Sequence, residues 1–369
     1  MPDFKDRLTS GVKRIKTRLG RPEPPRRTER PVEPAPEAPN GARPFELLQD
    51  APPTFFIVGR AKSGTSWLMR ILNSHPDILC RGEGKFFGRQ YMRDNQEQVK
   101  LQPTSLYGAI ADSEYLRAWV ERSVWAEDED VEEHLANLTS LATNYFLARR
   151  LSKVGKRIVG DKTPFTGMEV VEEIKEIRPD AKLIHIIRDG RDVAISAIHH
   201  MWNHARHEGG IHDLTPEELA KREAYRSDPQ AFLASGESIF TGRQLYGTAK
   251  NWAEMVRRAM EDGPKLLGEN YTEVRYEDLL EEPEPEVRRL LGFLDADARE
   301  PVVNRCIERA SFERRTKGRE RGQEDSKDFM RKGIAGDWKN VFNEEDKRAF
   351  KEAAGDLLVE LGYEENQDW

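Results

Sequence analysis

The sequence predicts an α/β protein of three layers, with a mostly parallel central sheet flanked by helices. Two observations carry that expectation. Four short runs, Phe55 to Val58, Arg157 to Val159, Lys182 to Ile187 and Thr272 to Arg275, have the apolar, β-branched character of strands. Longer segments with helical patterning separate them, notably Ser113 to Leu151 and Pro216 to Met260, and such alternation favours parallel strands joined by crossovers. A chain of 369 residues can bury a sizeable core as one large domain, assigned here to residues 51–369, and no internal repeat is found.

The first fifty residues read differently. Phe4, Leu8, Val12, Ile15 and Leu19 recur at helical intervals with Lys13, Arg14, Lys16 and Arg18 among them. Residues 1–20 are therefore read as a basic amphipathic leader. It either lies on an anionic membrane surface through residues 4–19 or stays solvated. Eight prolines between Pro22 and Pro44 make residues 21–50 an extended or disordered linker. No stretch approaches the roughly 18 apolar residues of a membrane span, and the charged N-terminus carries no visible signal peptide. Two cysteines, Cys80 and Cys306, offer no disulfide framework and suit a reducing compartment. The expected location is cytoplasmic, or peripheral at the inner membrane surface if the leader binds lipid. A formal charge of −7 argues against nucleic acid as a partner.

Chemistry enters after the first strand. Gly59-Arg60-Ala61-Lys62-Ser63-Gly64 keeps the glycine spacing of a nucleoside triphosphatase P-loop, but Thr65 stands where the lysine belongs and Lys62 lies inside the loop. With a helix starting near Thr65, backbone N–H groups, the hydroxyls of Thr65 and Ser66 and the helix's positive end all aim at a bound anion. The Lys182 to Ile187 strand ends at Arg188, Asp189 opens a helix, and Ser196 follows Arg188 by eight residues. Arginine's planar fork can grip a phosphate bidentately. Far downstream stands Arg331-Lys332-Gly333-Ile334-Ala335-Gly336-Asp337-Trp338.

From about Thr54 onward these segments resemble sulfotransferases that use 3′-phosphoadenosine 5′-phosphosulfate (PAPS), a family with a P-loop-like fold. The resemblance is to a bacterial-type member with features of both the cytosolic and the carbohydrate or tyrosyl-protein branches. It implies that Lys62, Ser63, Gly64, Thr65, Ser66 and Trp67 form the 5′-phosphosulfate loop. It implies further that Arg188 and Ser196 bind the 3′-phosphate, that Arg331, Lys332 and Gly333 close over it, and that Tyr276, Ser311 and Phe312 hold the adenine. The cytosolic branch takes its base from a histidine beside a T-H-L-P-like stretch, whereas Gly160-Asp161-Lys162-Thr163-Pro164-Phe165 has none. The other branches pair a glutamate in an E-x-x-F-F pattern with a lysine in K-T-P or K-D-P. Glu83-Gly84-Lys85-Phe86-Phe87 and Lys162-Thr163-Pro164 match these.

The resemblance implies in-line sulfuryl transfer to an acceptor hydroxyl of a carbohydrate, lipid or small metabolite, with no metal required. Glu83 accepts the hydroxyl proton, Lys62 neutralises the leaving bridging oxygen, and Lys162 steadies the sulfuryl oxygens or orients Glu83. The Ser113 to Leu151 and Pro216 to Met260 excursions are the expected walls of the acceptor pocket. His199, His200, His204 and His207 are read as surface or acceptor-contacting groups rather than metal ligands. Two alternatives stay open, a P-loop nucleotide kinase or phosphotransferase and a non-catalytic nucleotide-binding protein.

Overall fold

A computed structural model describes residues 51–88, 91–93, 101–126, 130–165, 169–206, 212–328 and 330–369. The leader, the linker and His207 lie outside these residues. In chain order the first half carries β1 (Thr54–Val58), α1 (Thr65–Asn73), β2 (Ile78–Gly82), β3 (Tyr91–Arg93), β4 (Leu101–Pro103), α2 (Leu106–Ile110), α3 (Glu114–Val120), α4 (Val131–Ser152), β5 (Ile158–Lys162) and α5 (Val170–Ile177). There follow β6 (Lys182–Ile187), α6 (Gly190–Asn203), α7 (Pro216–Ser227), α8 (Pro229–Ala234), α9 (Gly242–Leu267) and β7 (Tyr271–Arg275). The last stretch is helical, with α10 (Tyr276–Glu281), α11 (Pro283–Phe293), α12 (Glu300–Arg309), α13 (Phe312–Arg315), α14 (Trp338–Val341) and α15 (Glu344–Glu360).

Five strands form the central sheet in the order β2-β5-β1-β6-β7, with every neighbouring pair parallel. All four expected strands are present. The β2 edge strand was not foreseen, because Ile78, Leu79 and Cys80 are too short an apolar run to stand out, and Arg81 and Gly82 finish it exposed. Strand β5 runs three residues beyond the expected Val159, since Gly160, Asp161 and Lys162 pair with β1 on one side and β2 on the other. Their polarity hid them; both side chains that follow Gly160 are nonetheless buried.

Strand β1 explains the layering. Successive side chains point to opposite faces, and every β1 position is buried, so both faces must be covered. Phe55 and Ile57 pack with α1, α10, α11 and α12 on one side. Phe56 and Val58 pack with α4, α5 and the Phe86-Phe87 pair on the other. A further core joins α6, α7, α9, α14 and α15 around Trp202, Trp252 and Phe350. No helix among the described residues is long and apolar enough to cross a membrane.

Two measurements follow. A Cβ on Gly160 would lie 2.2 Å from the ring of Phe55, itself wholly buried, so Gly160→Ala is expected to cost about 1–3 kcal/mol through overpacking, read from the urea midpoint. His185 and His199 are buried, and burial lowers each from its ordinary 6.5 to about 3. Below pH 6.5 the unfolded chain takes up protons at both that the folded chain refuses. Each therefore removes about 1.4 kcal/mol of stability per pH unit until pH falls to its folded value. Asp161, raised by burial to about 6, offsets one of the two below pH 6. Melting temperature should fall between pH 6.5 and 4, and His185→Asn should flatten that slope.

Candidate functional site

β1 sits between β5 and β6, so the chain leaves it toward one side of the sheet and returns on the other. A crevice opens beyond the carboxyl ends of strands at such a switch point. Here it is a cavity of about 270 Å³ lined by residues from each segment that the sequence assigned to the cofactor or to catalysis.

The loop after β1 forms its floor. Gly64 caps α1 in a left-handed conformation, φ 97°, and a Cβ there would lie 2.6 Å from the Tyr276 ring. Lys62 also has positive φ, 78°, which costs a residue with a side chain roughly 1–3 kcal/mol. Its ammonium is held down at about 8 by burial first, then by the charges of Arg188 and Lys162. An anion placed among these cations would relieve that repulsion.

Arg188 leaves β6 between the floor and the roof. One guanidinium nitrogen donates to the Lys62 carbonyl at 3.2 Å and another to the Ile334 carbonyl at 3.1 Å. The group lies 4.3 Å over the Tyr276 ring, while its Nε is buried without a hydrogen-bond partner. Past it, α6 presents Asp192, Ser196 and His200 to the cavity at four-residue intervals, one face of the helix.

The roof is the loop before α14. Asp192, almost wholly buried, accepts the Gly336 N–H at 2.7 Å and the Trp338 N–H at 3.0 Å and stands 3.7 Å from Arg188. Arg331 donates to Asp337 and, at 2.9 Å, to Glu324; Lys332 pairs with the same two carboxylates at 2.9 and 3.2 Å. Gly333 needs its φ of 67°, and a Cβ on it would lie 2.4 Å from the Phe312 ring.

On the β5 side, Lys162 Nζ donates to Glu83 Oε1 at 2.5 Å and reaches Ser66 Oγ at 3.4 Å. Lys162 is buried whereas the Glu83 side chain is 58% exposed, so the carboxylate faces the open end of the cavity. The lining carries six cationic side chains (Lys62, Lys162, Arg188, Arg321, Arg331 and Lys332) against two carboxylates, Glu83 and Asp192. The lining is cationic in balance.

Of the residues named from sequence, Lys62, Gly64, Thr65, Ser66, Trp67, Glu83, Lys162, Arg188, Ser196, Tyr276, Phe312, Arg331, Lys332 and Gly333 all border this one cavity. Ser63 and Ser311 do not. The Ser63 hydroxyl is turned into the interior at 1% exposure, and the Ser311 hydroxyl caps α13 by accepting the Arg314 N–H. Neither expected helical excursion contributes a lining residue; α9 packs instead against α15 and α6. Sequence reasoning missed Asp192, Leu280 and Arg321 as lining groups and gave His200 only as a surface or acceptor-contacting group. The four-residue spacing of Asp192, Ser196 and His200 could have found Asp192.

A family model described as the sulfotransferase domain matches residues 52–362. The chain belongs to the sulfotransferase family. It is 29% identical to sulfotransferase 1 family member D1 of Rattus norvegicus over 182 residues, 47% of this chain and 53% of the relative. The chain thus spans about half the length of such curated relatives. A putative protein-tyrosine sulfotransferase of Caenorhabditis briggsae is 22% identical over 320 residues, 86% of this chain and 91% of the relative. Among solved structures, a mouse sulfotransferase complexed with PAP is 18% identical, covers 84% of this chain and 83% of its own, and superposes with a TM-score of 0.45.

Asp192 carries the attachment of roof to α6, so its loss should be felt at both. Asp192→Ala leaves a buried and a part-buried N–H unpaired and is expected to cost about 2–4 kcal/mol in a denaturant titration, at roughly 1–3 kcal/mol for each unsatisfied group less partial rehydration. Limited proteolysis of the folded variant should cut first within residues 319–336.

Proposed function

We propose that this sulfotransferase moves the sulfuryl group of PAPS to a hydroxyl-bearing acceptor by in-line transfer, with Glu83 as the base. One observation carries the reading. The Glu83–Lys162 pair, the loop cation Lys62 and the buried guanidinium of Arg188 meet in a single cationic cavity. The fit to a bis-phosphorylated nucleotide is supported by the unpartnered Arg188 Nε, which an anion would satisfy, and by the depressed Lys62, which an anion would raise. In this assignment Lys62, Gly64, Thr65 and Ser66 hold the 5′-phosphosulfate. Arg188 and Ser196, closed over by Arg331, Lys332 and Gly333, hold the 3′-phosphate. Trp67, Tyr276 and Phe312 form the base pocket.

PAPS supplies an activated sulfuryl group whose acceptor displaces the nucleotide's phosphate oxygen. The protein's share is alignment and charge. Glu83 takes the proton of the acceptor hydroxyl as the new O–S bond forms, and its exposure lets it meet an acceptor entering from solvent. Lys62 neutralises the leaving oxygen. Lys162, donating to Glu83, keeps that carboxylate aimed until the acceptor's proton arrives. Carbohydrate, lipid and small-metabolite hydroxyls all suit this chemistry, and cytoplasmic placement accords with it. A kinase reading gains nothing from Asp161 near the end of β5, because its two oxygens already accept the Gly84 N–H and the Thr163 hydroxyl.

Calorimetry with the desulfated product, 3′-phosphoadenosine 5′-phosphate (PAP), against ATP with magnesium tests the nucleotide. PAP at 100 times its dissociation constant should stabilise the fold by about 2.7 kcal/mol, and ATP should do far less. Stabilisation by ATP with magnesium alone would overturn the assignment. Glu83→Gln should keep PAP affinity while turnover of labelled PAPS falls about 10²–10⁴-fold. Unchanged turnover would give the proton to another group.

A further inference from the structure

Strand β5 carries a second ionisable group that the mechanism above does not use. Asp161 is 3% exposed and immediately precedes Lys162. Neighbouring residues of a strand point to opposite faces, so Lys162 turns toward Ser66 and Glu83 while Asp161 enters the other layer. There Oδ1 accepts the Gly84 N–H at 3.0 Å and Oδ2 accepts the Thr163 hydroxyl at 2.8 Å. The Glu83 N–H donates to the Lys162 carbonyl at 2.8 Å. The peptides on both sides of Glu83 are thereby fixed to consecutive residues of β5.

That bracket answers a need. Glu83 has φ 58° and Lys85 φ 52°, two left-handed residues with side chains in one short loop, each disfavoured by about 1–3 kcal/mol. Such a conformation persists only where its surroundings over-determine it. Gly84 between them leaves no room for change either, since a Cβ on it would lie 2.4 Å from the Phe86 ring and 2.9 Å from Asp161 Oδ1. A carboxylate suits the position because both groups it meets are donors and it has two acceptor oxygens and no donor. Burying it works against stability: burial raises Asp161 to about 6, relieved in part by the Thr163 and Gly84 hydrogen bonds and the charge of Lys162. A fold does not keep a buried acid of this kind for packing alone.

We propose that Asp161 is a positioning residue that holds Glu83 in the left-handed conformation from which its carboxylate meets Lys162 and the acceptor hydroxyl. The inference rests on the functional reading for its kinetic consequence, but its structural half stands independently. Asp161 touches no reacting atom; it acts through the Gly84 amide.

The test uses the full chain with Asp161→Ala, Asp161→Asn, Glu83→Gln and the Glu83→Gln/Asp161→Ala double variant. Peptide-level hydrogen exchange over residues 82–87 reads the loop, calorimetry with PAP reads the nucleotide site, and labelled PAPS with octyl glucoside, an acceptor of un-ionised aliphatic hydroxyls, reads turnover. In Asp161→Ala, exchange in that peptide should accelerate at least tenfold with the rest of the sheet unchanged. The kcat should drop at least tenfold while PAP affinity stays within twofold. Asp161→Asn retains an acceptor for Gly84 and should recover most of both losses. It also serves if the alanine variant does not fold. The double variant should be no slower than Glu83→Gln alone, since two residues acting through one group are not additive. Unchanged loop exchange in both Asp161 variants, or a double variant slower than Glu83→Gln by the full alanine factor, would overturn the proposal. Failure of wild type to bind PAP would instead overturn the functional reading, with loop exchange still deciding the role of Asp161.

Discussion

Like charges brought together out of water set the terms for the rest of this structure. Lys62, Lys162 and Arg188 share one cavity, and the Lys62 ammonium is held down by burial first and by the other two charges second. Such a cluster holds only if something answers each cation. Glu83 answers Lys162, backbone carbonyls of Lys62 and Ile334 and the Tyr276 ring answer Arg188, and Asp337 with Glu324 answers the roof cations. Of the Arg188 nitrogens, Nε alone is left without a hydrogen-bond partner.

The sheet makes this arrangement affordable in geometry. Parallel strands end together, so β1, β5 and β6 deliver the Lys62 loop, Lys162 and Arg188 to one place from widely separated points in the chain. The pleat then assigns faces: on β5 it sends Lys162 into the cavity and Asp161 into the supporting layer. One strand end supplies both a charged group and the anchor of its partner.

How far the sequence could be read follows from which physical signals are local. Apolar runs marked β1 and β6 nearly to the residue because burial on both faces demands apolar side chains at successive positions, whereas β7 is an edge strand with only Val274 buried. Strand β5 was read short since its last residues, Gly160, Asp161 and Lys162, are buried without being apolar. The site residues on glycine-marked turns were legible, as Gly64 and Gly333 sit where a side chain would strike an aromatic ring. Asp192 and Asp161 were not assigned roles, because what they do depends on N–H groups distant in sequence or on a loop conformation that no periodicity announces. The segments expected to wall the acceptor pocket line none of this cavity, and α9 packs against α15 and α6, which helical pattern alone does not reveal.

The tie between Asp192 and the roof spans 144 residues to Gly336 and 146 to Trp338. Closing so long a loop is entropically slow to achieve and must await the docking of the C-terminal segment. During synthesis the sheet, the floor loop and the Glu83 turn all leave the ribosome before the segment that covers them. The cavity is therefore the last part of the molecule to be completed, and a chain that stalls or is clipped ahead of Arg331 presents a cationic trough without its cover.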